Sequence, residues 1–179
     1  MNHAAFYLDI VASGQPVPGT AAQVVRALHH AFKFVPDTYA IALPDANPFK
    51  RIRIFAETAP ALHDLHAHLQ DEPAIHQFGY FRAVAAVPQP FDGLWVSYRR
   101  YRIPTRKAER NAGGTVRVRR ILQADALRLP FFDMRSKSTG QNFRLYIQPC
   151  PAEPNATALL PDGYGLASAT RPFALPVLP

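Results

Sequence analysis

The apolar positions of the first ninety residues switch between two periods, and the switches predict six elements. Phe6 to Ala12 is a short apolar run bounded by Ser13-Gly14-Gln15-Pro16, the pattern of a strand. Thr20-Ala21-Ala22-Gln23 fits a capping box and opens a helix to about Val35. Val24, Val25, Leu28, Ala31, Phe32 and Val35 line one face of it, and Pro36-Asp37 stops it. Tyr39 to Leu43 predicts a second strand, closed by Pro44-Asp45-Ala46-Asn47-Pro48. Lys50 to Ala56 alternates charge with Ile52 and Ile54, predicting a strand with one solvated face. Thr58 caps a helix over Ala59 to Leu69, where Leu62, Leu65 and Leu69 recur at helical spacing. His76 to Val87 predicts a fourth strand through Phe78, Tyr80, Phe81, Val84 and Val87.

The order βαββαβ predicts an α+β chain whose N-terminal unit is ferredoxin-like (RRM-like), with two helices over one face of an antiparallel sheet. That fold hosts enzymes, metal carriers and RNA binders alike, so it supplies no function. The RNP1 pattern of an RRM is absent, and Gln77-Phe78-Gly79-Tyr80-Phe81 is only a faint echo of it. Pro88-Gln89-Pro90-Phe91-Asp92-Gly93 marks a boundary, giving domains 1–90 and 91–179. In the smaller C-terminal α/β domain, Leu94 to Arg102 predicts a strand, and Thr115 caps a helix through Leu127. Phe131 to Met134 and Asn142 to Gln148 predict short strands around a polar turn, Ser136-Lys137-Ser138-Thr139-Gly140-Gln141. From Pro149 onward, seven prolines in 31 residues predict loop and edge strand.

Charge changes the picture. The 179 residues carry 20 Lys and Arg against 13 Asp and Glu, a net +7. Between Arg99 and Arg128 lie nine arginines (99, 100, 102, 106, 110, 117, 119, 120, 128) and Lys107, against Glu109 and Asp125. That segment is +8, so the other 149 residues sum to −1. Arginine dominance favours planar contact with phosphates or guanine edges, and so a nucleic acid, over a plain solvated helix. One cysteine, Cys150, allows no internal disulfide, and Met1-Asn2-His3-Ala4 lacks the layout of a signal peptide. No apolar run is long enough to span a bilayer. A cytoplasmic protein without membrane partners is the expectation.

Several chemistries lack their motifs: there is no GxxxxGK[ST], no GxGxxG after a strand and no GxSxG. A lone cysteine excludes a zinc ribbon or iron–sulfur site, and His63, His66 and His68 lack an acidic third ligand, so they read as a solvated helix face. No metal and no cofactor is expected. On the first helix His30 falls on the polar face with Gln23, Arg26 and Lys33. His29 falls with Val25 and Phe32 at the border of the apolar stripe. A border histidine is often structural, yet His29 is the best-placed proton-transfer candidate, since imidazole titrates near neutrality. The run Arg135 to Arg144 gathers hydroxyls, amides, cations and one aromatic around Gly140. It reads either as an ordinary polar hairpin or as a cradle for phosphates and a stacked base, with Phe143 as the ring.

Tyr7-Leu8-Asp9-Ile10, Leu28-His29-His30-Ala31, Ser136-Lys137-Ser138-Thr139-Gly140-Gln141-Asn142-Phe143-Arg144-Leu145 and Tyr164-Gly165-Leu166 follow one another in the order of one family. The chain resembles the CRISPR repeat-processing endoribonuclease of type I-F systems, the Csy-type branch, from end to end except over 103–128. The resemblance implies an arginine-rich helix in the major groove of a repeat hairpin, and metal-independent cutting of precursor crRNA at the hairpin's 3′ base. The products would be a 2′,3′-cyclic phosphate and a 5′-hydroxyl. By resemblance His29 is the catalytic histidine, Ser136 holds the attacking 2′-hydroxyl, Ser138 is the second serine of the block and Tyr164 the active-site tyrosine. Phe143 stacks on the closing base pair. Arg100 and Arg102 read bases near the hairpin foot, the latter usually glutamine in the family.

RNA contains its own nucleophile, so a histidine and a hydroxyl suffice without a metal. The RNA-binding set expected is Arg99, Arg100, Arg102, Arg106, Arg110, Arg117, Arg120, Ser138, Gln141 and Phe143. Arg106 with Arg110, or Arg117 with Arg120, can share a helix face; Gly113-Gly114 separates the pairs, and which one enters the groove stays open. The implied partners are the repeat hairpin and other subunits of the interference complex, with no obligate homo-oligomer. The alternatives are a non-catalytic hairpin-binding subunit and a general basic subunit of a ribonucleoprotein.

Overall fold

The computed structural model describes residues 3–45, 49–105, 108, 110, 114–136, 140–154 and 158–179. Arg106 and Ser138 therefore lie outside the described residues.

Mixed α/β structure with two antiparallel sheets results. The first half runs β1 (Phe6–Ala12), α1 (Val17–Phe32), β2 (Ala40–Ala42), β3 (Arg51–Ala56), α2 (Ala59–Leu69), α3 (Pro73–Phe78), β4 (Gly79–Phe81) and β5 (Ala85–Ala86). Its sheet has the order β2-β3-β1-β4, with β5 also pairing β1. The second half runs β6 (Trp95–Tyr101), α4 (Val116–Ala126), β7 (Phe131–Arg135), β8 (Asn142–Ala152) and β9 (Leu175–Pro176), in the order β7-β8-β6-β9. Among the described residues, no helix is long and apolar enough to cross a membrane.

Register follows from the alternation of apolar side chains. Leu8 faces Ile54 and Ile10 faces Ile52 across β1 and β3. Val24, Val25, Leu28 and Phe32 of α1, and Leu62, Leu65 and Leu69 of α2, join them in a buried cluster. The same cluster continues through Phe132, Met134, Leu145 and Ile147 of the second sheet. The helix α1 packs on β7, and the Tyr98 hydroxyl donates to the Leu43 carbonyl at 3.4 Å, so the two sheets share a core.

Four expectations change. The helix α1 begins at Val17, three residues before the expected cap, and ends at Phe32 rather than near Val35. Proline at its start needs no N–H partner, and Thr20 is buried in the first turn, its hydroxyl donating back to the Val17 carbonyl at 3.2 Å. Residues 76–87 are not one strand: Pro73 starts a short helix through Phe78, and only 79–81 and 85–86 pair. The strand β8 continues past Gln148 through Pro149 and Pro151, opposite Tyr98 and Val96. Ile147 N–H already points to the β7 side, so the two prolines turn their N atoms to the same edge, beyond the end of β7.

The strand β3 has no solvated face. Arg53 is 2% exposed and Asp9 of β1, directly opposite, 3%. Arg53 Nε and Nη2 donate to the two Asp9 oxygens at 2.7 and 2.9 Å. The same guanidinium lies 4.4 Å from the Tyr7 ring centroid and donates to the carbonyls of Leu178 and Pro179. Burial of such a charge is tolerated because a carboxylate and two backbone oxygens accept four hydrogen bonds from it.

Candidate active site

The last turn of α1 sets His29 half-buried beside the fully buried Leu28. Its Nδ1 is hydrogen-bonded to the Gly163 carbonyl, and its ring stacks on Tyr164 with centroids 4.1 Å apart and planes 7° apart. A side chain at Gly163 would begin 3.4 Å from His29 Cε1, so the Nδ1–Cε1 edge of the ring sits close against that residue.

The turn that carries Gly163 and Tyr164 is built by Asp162. Its Oδ1 accepts from Tyr164 N–H at 2.8 Å and Leu166 N–H at 3.0 Å, while Gly165 N–H donates to the Asp162 carbonyl at 2.8 Å. Gly165 has φ +79°, and its carbonyl accepts from Ile41 N–H at 2.8 Å, which ties the turn to β2. A Cβ there would meet Ile41 Cγ1 at 2.9 Å and Phe32 Cε2 at 3.1 Å. The run Pro161-Asp162-Gly163 has turn chemistry legible in sequence, but nothing in it points to His29.

A cleft of about 1850 Å³ opens on the second sheet. One wall is the β7–β8 hairpin, with Arg135, Ser136, Gln141 and Phe143; Arg100 of β6 and Arg110 and Arg117 extend it. The facing wall includes Gln23 and Arg26 of α1, bonded to each other at 3.3 Å. By periodicity both fall on a plain polar face, because nothing local says which element faces them. Arg26 lies one turn before His29, so α1 joins the cleft to the histidine, while His29 and Tyr164 sit beyond its described lining.

Arg99, Arg102 and Arg120 are not among the residues that line the cleft. Arg99 donates to Ser97 Oγ at 3.1 Å on its own strand. Arg120 stacks 4.0 Å over the Tyr101 ring and donates to the Arg102 carbonyl at 3.3 Å; the Arg102 side chain is exposed, outside the described lining. Arg117 donates to the Pro104 carbonyl at 2.8 Å and still lines the cleft.

The helix α4 is pinned by buried Ala124 and by two phenols: Tyr101 donates to Gln123 Oε1 at 2.7 Å and Tyr146 to Asp125 Oδ1 at 2.8 Å. Thr115 stands at its N-cap without a side-chain bond. Burial pushes the Tyr146 hydroxyl up, and the hydrogen bond to Tyr146 raises Arg144, which also lines the cleft. Among the described residues, no three His, Cys, Asp or Glu side chains gather as metal ligands would.

Residues 7–177 match the family model described as CRISPR-associated protein (Cas_Csy4). No curated protein matches the chain.

Proposed function

The chain belongs to the Cas_Csy4 family of CRISPR-associated endoribonucleases, which process crRNA in type I-F systems, and on that premise we propose a specific cleavage chemistry and division of labour. The protein binds a CRISPR repeat hairpin along the arginine-bordered cleft and cuts the precursor at the 3′ base of the hairpin, without a metal. The upstream 2′-hydroxyl attacks the scissile phosphorus, the bond to the 5′-oxygen breaks, and a 2′,3′-cyclic phosphate and a 5′-hydroxyl result. His29 moves the proton, Ser136 aligns the attacking hydroxyl, and Tyr164 holds the imidazole. Phe143 stacks on the closing base pair, and Arg100 and Arg117 meet the hairpin.

The observation that carries this reading is the placement of His29. It is clamped by Gly163 and Tyr164 on the helix whose preceding turn lines the cleft with Arg26. The order β2-β3-β1-β4 under two helices supports a ferredoxin-like unit over 1–90, with a hairpin-binding unit over 91–179. After cutting, the protein stays on its product as a subunit of a cytoplasmic crRNA-guided complex.

Incubation with a repeat hairpin in EDTA tests the reading. Cutting is expected in EDTA and is expected to vanish in His29→Ala, and a single 2′-deoxy sugar at the cut site should block cutting but not binding. Loss of cutting in EDTA, or full cutting by His29→Ala, overturns the mechanism. Tight binding with no product under any condition instead identifies a non-catalytic hairpin binder.

A further inference from the structure

We infer that Asp162 is a positioning residue that decides which nitrogen of His29 carries the proton, acting through the single peptide unit between Gly163 and Tyr164. The inference rests on His29 being the proton-transfer group. The N–H of that peptide unit belongs to Tyr164 and donates to Asp162 Oδ1 at 2.8 Å; its C=O belongs to Gly163 and faces His29 Nδ1. In a trans peptide these two groups point in opposite directions, so fixing one aims the other. The carboxylate thus orients the carbonyl at the imidazole and polarises it through the shared amide, since hydrogen bonds in series strengthen one another.

A carbonyl oxygen only accepts, so the hydrogen bond places the proton on Nδ1 and leaves the Nε2 lone pair open. Nε2 is then the atom that takes a proton from RNA or, once charged, returns one. Asp162 also receives Leu166 N–H at 3.0 Å, and the Gly165 carbonyl receives Ile41 N–H, so the turn cannot swing away without breaking contact with β2. Half-buried Asp162 makes no ion pair among the described residues, so its Oδ1 serves these two amides. The carboxylate never touches the imidazole; a backbone carbonyl stands between them.

Nitrogen-15 NMR of the His29 ring in mildly alkaline buffer, with single-turnover cutting of a repeat hairpin, tests the role. The wild-type ring is expected to be protonated at Nδ1, with a scalar coupling across the bond to the Gly163 carbonyl. Asp162→Ala is expected to shift the ring toward Nε2 protonation and slow cutting about 10- to 100-fold, with hairpin affinity held within about twofold. Asp162→Asn, whose side-chain oxygen accepts the same amides, is expected to restore the Nδ1 tautomer and most of the rate. A wild-type ring protonated at Nε2, or an Asp162→Ala ring still protonated at Nδ1, overturns the inference.

Should Asp162→Ala fail to fold, the wild type decides: absence of a coupling from the His29 ring to the Gly163 carbonyl carbon, or from the Tyr164 amide to the Asp162 carboxyl carbon, contradicts the chain of bonds. Failure of the functional reading looks different. A wild-type protein that cuts nothing, with a tautomer that follows Asp162, rejects cutting and supports positioning.

Discussion

The imidazole of His29 and the phenol ring of Tyr164 lie nearly parallel at 4.1 Å, although 135 positions separate them in the chain. Stacking uses the face of the imidazole, so its edge, which carries both ring nitrogens, is left for hydrogen bonding. The ring, not the hydroxyl, makes this contact. Tyr164→Phe is therefore expected to cut within about threefold of wild type, and Tyr164→Ala to lose about 10- to 100-fold, with unchanged hairpin affinity. Equal losses in both variants would assign the role to the hydroxyl.

Gly165 cannot take a side chain. At φ +79° an added methyl group is strained, and it also meets Ile41 and Phe32. Gly165→Ala is expected to cost about 1–3 kcal/mol in urea unfolding and to slow cutting, because the turn carrying Gly163 moves. Wild-type stability in that variant would contradict the geometry.

Asp9 and Arg53 are both buried, and each is the other's partner. Removing Asp9 leaves the Arg53 guanidinium in the core without its carboxylate. Asp9→Ala is expected to destabilise the fold by about 3–5 kcal/mol, read from the denaturation midpoint. An unchanged midpoint would mean that water replaces the carboxylate.

Six arginines border the cleft: Arg26, Arg100, Arg110, Arg117, Arg135 and Arg144. With about five phosphate contacts, log K for the hairpin should fall with log salt at a slope near −4. Arg100→Ala is expected to flatten that slope by about one, whereas Arg99→Ala, whose guanidinium turns back to Ser97, should leave it unchanged. Filter binding across a salt series reads both.

Burial pushes the hydroxyls of Tyr39, Tyr98 and Tyr146 above the ordinary tyrosine value of 10.0. The folded chain thus keeps protons that the unfolded chain gives up. Their contribution is complete below about pH 10 and is lost as pH rises through the raised folded values. The urea midpoint should fall above about pH 10, and a midpoint flat to about pH 11 would contradict the burial of these phenols.

Local chemistry made part of this molecule legible. Phe6–Ala12 and Ala59–Leu69 stand where their patterns put them, with Thr58 accepting from Ala61 N–H at 3.4 Å as a cap should. The misread positions depend on distant partners. Arg53 looks like a solvent-facing charge until Asp9, 44 residues earlier, closes on it. Pro149 and Pro151 look like strand breakers until β7 proves too short to reach them. The same holds at the site. The resemblance pointed to His29 and Tyr164, but the directions of the arginines depend on how α4 docks, through Tyr101 and Tyr146, and no spacing encodes that. Asp162 acts on its own neighbours and through them on a residue from the other end of the chain, so its turn was legible and its target was not.

The bond between His29 and the Gly163 carbonyl spans 134 positions. During translation the histidine leaves the ribosome well before its clamp, which is made 134 positions later. Under the proposed mechanism, a stalled or truncated nascent chain that stops short of the 161–166 turn has no set imidazole. Such a chain is expected to cut the repeat hairpin poorly until synthesis has passed that turn.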